Sequence, residues 1–509
     1  MARSRTKSVS INMIIAIICQ VFNLLLNFIA RTVFIKTLGA DYLGVNGLFT
    51  NILTILSFAE LGIGNAIVFS MYKPLAEKDV QKVASLMSLY KKAYTVIGVI
   101  VASVGLMVTP FLTFIIKDRP EIYESIYVLY LLFLVNTVSS YFFVYKKSLI
   151  SADQKNYIVL LITEIVHFAQ VVFQAIFLIA THNYIVYLIF QIAFTVIGNI
   201  IASIVANKMY PFLKQKAIPL DKKESKSIFS NVKALAVYKL GSVVLNGTDN
   251  ILLSAMVGIT EVGIASNYVL LNTSCNAILS KVTEAFTASV GNLNTYDDKK
   301  KQYSVFNKIM LITIWLYGFA SVGLVAVSPS FITAWLGEEY LLDKITAFAI
   351  VLGFFVQGAH FAAYTYRTTL GYFKQGRLSP LIAAVLNFVL SILFCHWFGM
   401  AGIFIATPVS RFLTTGIIDP HLIYKHTFNK KPIIYHLKYF GYFVLIVAIG
   451  ALCCFLVSLV NFGGWLKVIF DILIVTVVFN SIMLVVFFRT KMFRELFASA
   501  KNLLKHIKK

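Results

Sequence analysis

Lysine and arginine mark every second polar joint of this chain. The chain is one long series of apolar segments. About 36 of its 45 Lys and Arg residues fall in alternate joints and only about five in the others. Joints that stay in the cytoplasm retain Lys and Arg, so this alternation predicts a topology as well as a membrane location. It implies a multi-pass protein of a bacterial cytoplasmic (inner) membrane with both termini in the cytoplasm.

A hydrophobic fraction of 59% and a mean hydropathy of +0.81 place the chain outside the soluble class. A bilayer-crossing helix needs roughly 20 apolar residues, so 509 residues hold about fourteen spans. They fall at about 10–36, 43–72, 88–116, 125–145, 157–180, 184–207, 231–257, 262–290, 305–327, 345–372, 378–398, 402–424, 436–460 and 464–488. The net charge of +23 is dispersed over many short loops, which excludes nucleic acid as a partner and suits anionic lipid heads. The five cysteines lie in apolar spans and read as small buried hydrophobes, without a metal or disulfide framework. The basic start runs into an apolar stretch too long for a signal-peptide core and reads as an uncleaved first helix.

The widest basic joint contains Pro211, Pro219 and the stretch DKKESKS, and reads as a linker. The expected organisation is an N-lobe of six spans over 1–208, a linker over 209–230 and a C-lobe of six spans over 231–425. Two added spans over 426–488 and a tail over 489–509 complete it. The tail places Phe493, Leu496, Phe497, Ala500, Leu503, Leu504 and Ile507 at helical spacing among lysines. It reads as an amphipathic helix on the cytoplasmic leaflet, or as a helix for a soluble partner. The halves carry a repeat. The turn after span 1 is Leu38-Gly39-Ala40-Asp41-Tyr42-Leu43-Gly44 with Phe49 following, and the turn after span 7 is Val257-Gly258-Ile259-Thr260-Glu261-Val262-Gly263 with Tyr268 following. Both are G-x-x-x-x-G with an aromatic five residues on. Six spans separate the copies, so the repeats run parallel about an axis along the membrane normal.

Residues 29–71, IARTVFIKTLGADYLGVNGLFTNILTILSFAELGIGNAIVFSM, resemble the amino-terminal signature of Wzx-type polysaccharide flippases. In that family an LG…YG turn follows the first helix and an acid-Leu-Gly element, here Glu60-Leu61-Gly62, closes the second. These flippases belong to the multidrug/oligosaccharidyl-lipid/polysaccharide (MOP) exporter superfamily. The resemblance is specific over spans 1 and 2 and architectural beyond. It implies an all-α membrane fold with twelve core helices in two lobes around a central cavity, plus two carboxy-terminal helices. It also implies export of an undecaprenyl-pyrophosphate-linked oligosaccharide, for a capsule, O-antigen or similar polymer.

Ionisable residues inside a membrane are costly, at about 2.5–3.5 kcal/mol each, and mark function by default. In span 1, Gln20, Asn23, Asn27 and Arg31 recur at helical steps and share one face. A guanidinium forks onto phosphate and keeps its charge, so this stripe is a candidate substrate site. The competing reading of Arg31 is a structural pair with Glu60 or a snorkelling side chain. Span 7 repeats the design with Lys239, Asn246 and Asn250 near one line, and Asp249 beside them. The offset that carries Gly39 to Gly258 carries Arg31 to Asn250. Asp249 suits a coupling Na⁺ or proton, or else a salt bridge. Span 10 places Gln357, His360, Tyr364 and Arg367 on one face, and Arg411 is central in span 12. Arg367 and Arg411 join the cavity candidates, with snorkelling the alternative for Arg367. Glu164, His167, Gln170 and Gln174 cluster in span 5. Lys281 with Glu284 and Lys467 with Asp471 read as pairs along one helix.

No Gly-Lys pair, HExxH or clustered Cys/His set is present, so nucleotide-binding and zinc-hydrolase chemistry have no signal here. No cofactor is expected beyond the coupling ion. The chain reads as a flippase, not an enzyme. The alternatives are a multidrug cation exporter of the same superfamily and a membrane glycosyltransferase or polysaccharide polymerase. Arg31 and Arg411 disfavour the exporter, whose cavity would be acidic, and the short loops disfavour the enzymes. The expected partners are the lipid-linked oligosaccharide, membrane lipids, and the polymerase and chain-length machinery. A monomer is expected because one chain holds both repeats.

Overall fold

The computed structural model describes residues 2–60, 63–117, 120–142, 144–214, 221, 247–293, 298–372 and 378–497. Among these, the regular elements are helical throughout. Ten helices are long and apolar enough to cross a membrane, or eleven if the bent pair Ile126–Tyr141 and Val144–Ala152 counts as one span. Three further expected spans miss that test for identifiable reasons. The second is interrupted: helix Ala40–Leu56 passes through a tight turn at Ser57–Glu60 and resumes as Ile63–Glu77. The seventh is helical over 247–256, with its earlier part outside the described residues. The eighth, Ile259–Leu293, carries charged residues, including Lys281 and Glu284, along its length. Among the described residues, each of the fourteen expected spans thus coincides with a helix, part of one or a broken helix pair. Two more are broken: the tenth between Lys344–Ala359 and Phe361–Thr369, and the twelfth between Met400–Leu413 and Thr415–His426. Pro408 and Pro420 lie within the two halves of the twelfth, where each removes a backbone donor.

The chain forms two compact units, residues 1–263 and 264–509, with the boundary inside helix Ile259–Leu293. In the first unit, span 1 packs along span 5, and span 5 along span 6. The two G-x-x-x-x-G turns meet here. A side chain added at Gly44 would run into the carbonyl of Ile259, and one added at Gly263 into the carbonyl of Ala40. The offset between the repeats carries Gly44 to Gly263 and Ala40 to Ile259, so the contact is reciprocal. Asp41 and Thr260 are also equivalent by that offset, and Thr260 Oγ1 donates to Asp41 Oδ1 at 2.6 Å. Asp41 Oδ2 accepts from the Glu121 amide at 2.7 Å. The Lys117 ammonium donates to the carbonyls of Met256 and Val257, completing the end of the seventh span.

The second unit is built on the ninth span, Lys299–Trp335, against which the thirteenth (Ile433–Ser458) and fourteenth (Gly464–Phe487) pack. Phe306 is fully buried at the centre of an aromatic cluster, with ring centroids 5.2 Å from Tyr366, 5.7 Å from Tyr424 and 5.3 Å from Phe428. Asp471, buried in the fourteenth span, accepts from Ser330 Oγ at 2.6 Å and pairs with Lys467 at 3.4 Å. The expected Lys467–Asp471 pair is present and also ties the added spans to the ninth. The tail is helical over 491–497 and packs against the protein itself. Phe493 stacks on Trp315 at 6.0 Å, and Glu495 pairs with Lys308 at 2.7 Å. Ala500, Leu503, Leu504 and Ile507 lie outside the described residues.

Candidate functional site

The polar stripe of span 1 faces span 5. Asn23 Nδ2 donates to both oxygens of Glu164, at 3.0 and 3.1 Å. Asn27 Nδ2 donates to Asn23 Oδ1 at 2.8 Å. A carboxylate therefore holds an amide, and that amide holds the next, one turn along the helix. Arg31 lies one further turn on, half-buried, beside Tyr184 and Tyr187 at the start of span 6. The phenol rings are fixed by edge contacts to Phe34, at 5.4 Å from Tyr184 and 5.3 Å from Tyr187. The first unit thus carries a ladder of carboxylate, amides, guanidinium and phenols along one helix edge. Such a ladder offers donors to phosphate, and the half-buried Tyr187 a ring to sugars, while Tyr184 is fully buried behind it.

Glu60 stands elsewhere. It ends the tight turn that interrupts span 2, and its Oε1 accepts from the Tyr94 hydroxyl at 2.5 Å. Tyr94 packs on Tyr90 at 4.8 Å, and the Tyr90 hydroxyl lies 3.0 Å from Ser148 Oγ. The structure therefore places Glu60 in a phenol cluster, separate from the Asn23–Asn27 ladder. Among the span 7 candidates, Lys239 and Asn246 lie outside the described residues. Asn250 is half-buried, with its amide nitrogen against Gly47 of span 2. Asp249 is half-buried on the same helix. Lys281 and Glu284 form the expected pair at 3.2 Å, largely exposed.

Arg367 is buried and Nη1 donates to Asp419 Oδ1 at 2.8 Å. The other oxygen of Asp419 lies 3.0 Å from His360 Nε2. Asp419 was absent from the intramembrane acids singled out by sequence. The signal was present, since it falls inside the expected twelfth span as Ile417-Ile418-Asp419-Pro420. Its partners lie in another span, however, and no local spacing connects them. Arg411 is half-buried near the end of Met400–Leu413, and its carbonyl accepts from Thr415 Oγ1 at 3.1 Å. No group of three or more His, Cys, Asp or Glu placed to hold a metal ion occurs among the described residues.

Residues 9–291 match the model of a family described as polysaccharide biosynthesis protein. The chain belongs to that family. No curated protein matches its sequence. Its fold is similar to "Lipid II flippase MurJ, inward closed conformation", with 18% identity, a TM-score of 0.65, and coverage of 94% of this chain and 99% of that one. It is also similar to an inward-facing multidrug resistance MATE family transporter of the MOP superfamily, at 11% identity and a TM-score of 0.61, covering 78% and 91% of the two chains. A MOP superfamily transporter from Pyrococcus furiosus, whose description notes a binding pocket of reverse polarity, matches at 12% identity and a TM-score of 0.52. That likeness covers 80% of this chain and 93% of the other. The fold is therefore shared with these transporters, and this member of the polysaccharide biosynthesis family is a multi-pass membrane protein.

Proposed function

We propose that this chain flips undecaprenyl-pyrophosphate-linked oligosaccharide repeat units across the cytoplasmic membrane for surface polysaccharide synthesis, by alternating access coupled to an ion gradient. The observation that carries this reading is the conjunction of a polysaccharide biosynthesis family sequence with a lipid-flippase fold over almost the whole chain. The lysine-rich joints and both termini face the cytoplasm. The sugar and pyrophosphate cross in a wet cavity, and the prenyl tail stays in lipid. Arg31 supplies a guanidinium that forks onto phosphate, and the half-buried Tyr187 beside it supplies a ring on which a sugar stacks. Asn23 and Asn27, held by Glu164, keep the adjoining turns of the ladder in one rotamer. The protein works as a monomer and hands its cargo to a polymerase and its chain-length partners.

Deletion of the gene and extraction of membrane lipids tests the reading. The expected outcome is accumulation of the lipid-linked oligosaccharide with its sugar confined to the cytoplasmic leaflet, and no surface polymer. Arrival of the complete unit at the outer leaflet unpolymerised would favour a polymerase. Unchanged lipid intermediates with new sensitivity to cationic drugs would favour an exporter. Arg31→Ala is expected to abolish export while the protein still inserts, as read by membrane abundance beside surface polymer. Export unchanged in that variant removes Arg31 from the site.

A further inference from the structure

We propose that His360, Asp419 and Arg367 form a proton-binding site in the second unit, with His360 taking up the proton and Asp419 stabilising the imidazolium. The proton site stands on its own geometry, while its role in transport rests on the flippase reading above. It supplies a residue-level candidate for the coupling ion.

Arg367 alone already neutralises Asp419. The side chains are 2% and 1% exposed, and the 2.8 Å bond between them leaves Oδ2 available. Charge balance needs no third group, yet His360 Nε2 is placed 3.0 Å from that oxygen. Of the three residue types, histidine is the one suited to exchanging a proton, and at 15% exposure His360 is the member with access to open space. In the neutral ring, Asp419 selects the tautomer that donates from Nε2, which leaves Nδ1 as a base. A proton from water adds at Nδ1, and no protein bond breaks. The imidazolium then faces a carboxylate instead of bare hydrocarbon, and the bond at Nε2 becomes an ion pair.

The site also sits at two helix interruptions. His360 occupies the break between Lys344–Ala359 and Phe361–Thr369. Asp419 lies in Thr415–His426, just beyond the break at Thr414. The triad fastens two half-helices, each joined to its other half at an interruption. Proton uptake strengthens that fastening and proton loss weakens it, so occupancy and bending are linked.

Neighbouring titratable groups are largely committed elsewhere. The Tyr366 hydroxyl donates to the Gln302 carbonyl at 2.8 Å, and Tyr317 donates to Asn276 at 3.0 Å. Lys308 pairs with Glu495, and Tyr303 accepts from Lys438 at 3.2 Å. Tyr364, His421 and Lys425 are exposed, and Arg411 is half-buried on the packed helix Met400–Leu413. Tyr435, from the thirteenth span, is within electrostatic reach of Asp419.

Hydrogen–deuterium exchange of the purified full-length protein in lipid nanodiscs, corrected for intrinsic rates, tests the site at about pH 5.5 and 8. Peptides covering 361–372 and 415–426 are expected to exchange several-fold more slowly at the acid pH. His360→Gln should remove that difference and leave the other helices unchanged. Wild-type exchange in these peptides that is equal at both pH values overturns the proposal without recourse to any variant. So does a pH dependence that persists in His360→Gln. In cells, a protonophore should cut surface polymer export several-fold with the wild-type protein and leave the residual export of His360→Gln unchanged. Equal inhibition of both removes the site from coupling. If the exchange result holds but the gene proves unnecessary for surface polymer, the flippase reading fails and the proton site stands.

Discussion

Asp419 is 1% exposed and serves two bases, so its energetics are those of a buried ion. Removing one partner of such a pair costs about 3–5 kcal/mol, because the surviving charge stays buried and unpaired. Arg367→Met is therefore expected to lower the thermal unfolding midpoint sharply. The double variant Arg367→Met with Asp419→Leu is expected to recover most of that loss, since no charge is then stranded. Unfolding midpoints of the purified variants in one detergent check both expectations, and a double variant no better than the single one would contradict this account. The pairs legible in the sequence, Lys281–Glu284 and Lys467–Asp471, lie three and four residues apart on one helix, where spacing alone brings them together. Asp419 with Arg367, and Asn23 with Glu164, join different spans. Their meeting depends on helix packing, which hydropathy does not encode. The polar stripe of span 1 was legible as a stripe, but the helix it faces was not.

At the scale of elements, hydropathy measures length and is blind to interruption. All fourteen spans could be placed from apolar runs, yet the turn at Ser57–Glu60 and the breaks at His360 and Thr414 interrupt stretches that remain apolar on both sides. The caps lie in the polar joints and follow local rules. Asp343 opens the tenth span, and its Oδ1 accepts from the amides of Ile345 and Thr346 at 3.0 Å each. Burial pushes this carboxyl up, but the bonds from Thr346 and Ile345 outweigh burial and hold it below its ordinary range. A depressed carboxylate stabilises the fold above its unfolded value of about 3.9, and the contribution is lost as pH falls through the folded value. Asp343→Ala is expected to cost about 0.5–2 kcal/mol near neutral pH, and progressively less as the medium is acidified below about pH 4. Denaturation midpoints of wild type and variant measured across that window test the sign. A difference that grows on acidification would contradict the capping account.

For the whole molecule, the most informative contact is the meeting of the two turns. The repeat was visible in the sequence as a shared G-x-x-x-x-G, but that gave no reason for the glycines to touch. Each accommodates the backbone carbonyl of the other turn, and Asp41 bonds to its own counterpart, Thr260. Gly44→Val and Gly263→Val are each expected to force the turns apart. Joining Asp41→Cys to Thr260→Cys with a short bis-thiol reagent reads their proximity, and either valine should lower the cross-linked yield several-fold. A yield unchanged by both would mean that the turns approach by another route.

This junction also constrains how the chain can evolve. A chain that arose by duplication ordinarily frees its copies to diverge, because a change in one copy leaves the other untouched. Here the space available to position 44 is set by the backbone of the second copy, and the space at position 263 by the first. Neither glycine can enlarge unless the opposite turn retreats. The two positions therefore share one permitted volume. Related chains should keep both small or alter both together, even where nothing else of the duplication remains recognisable.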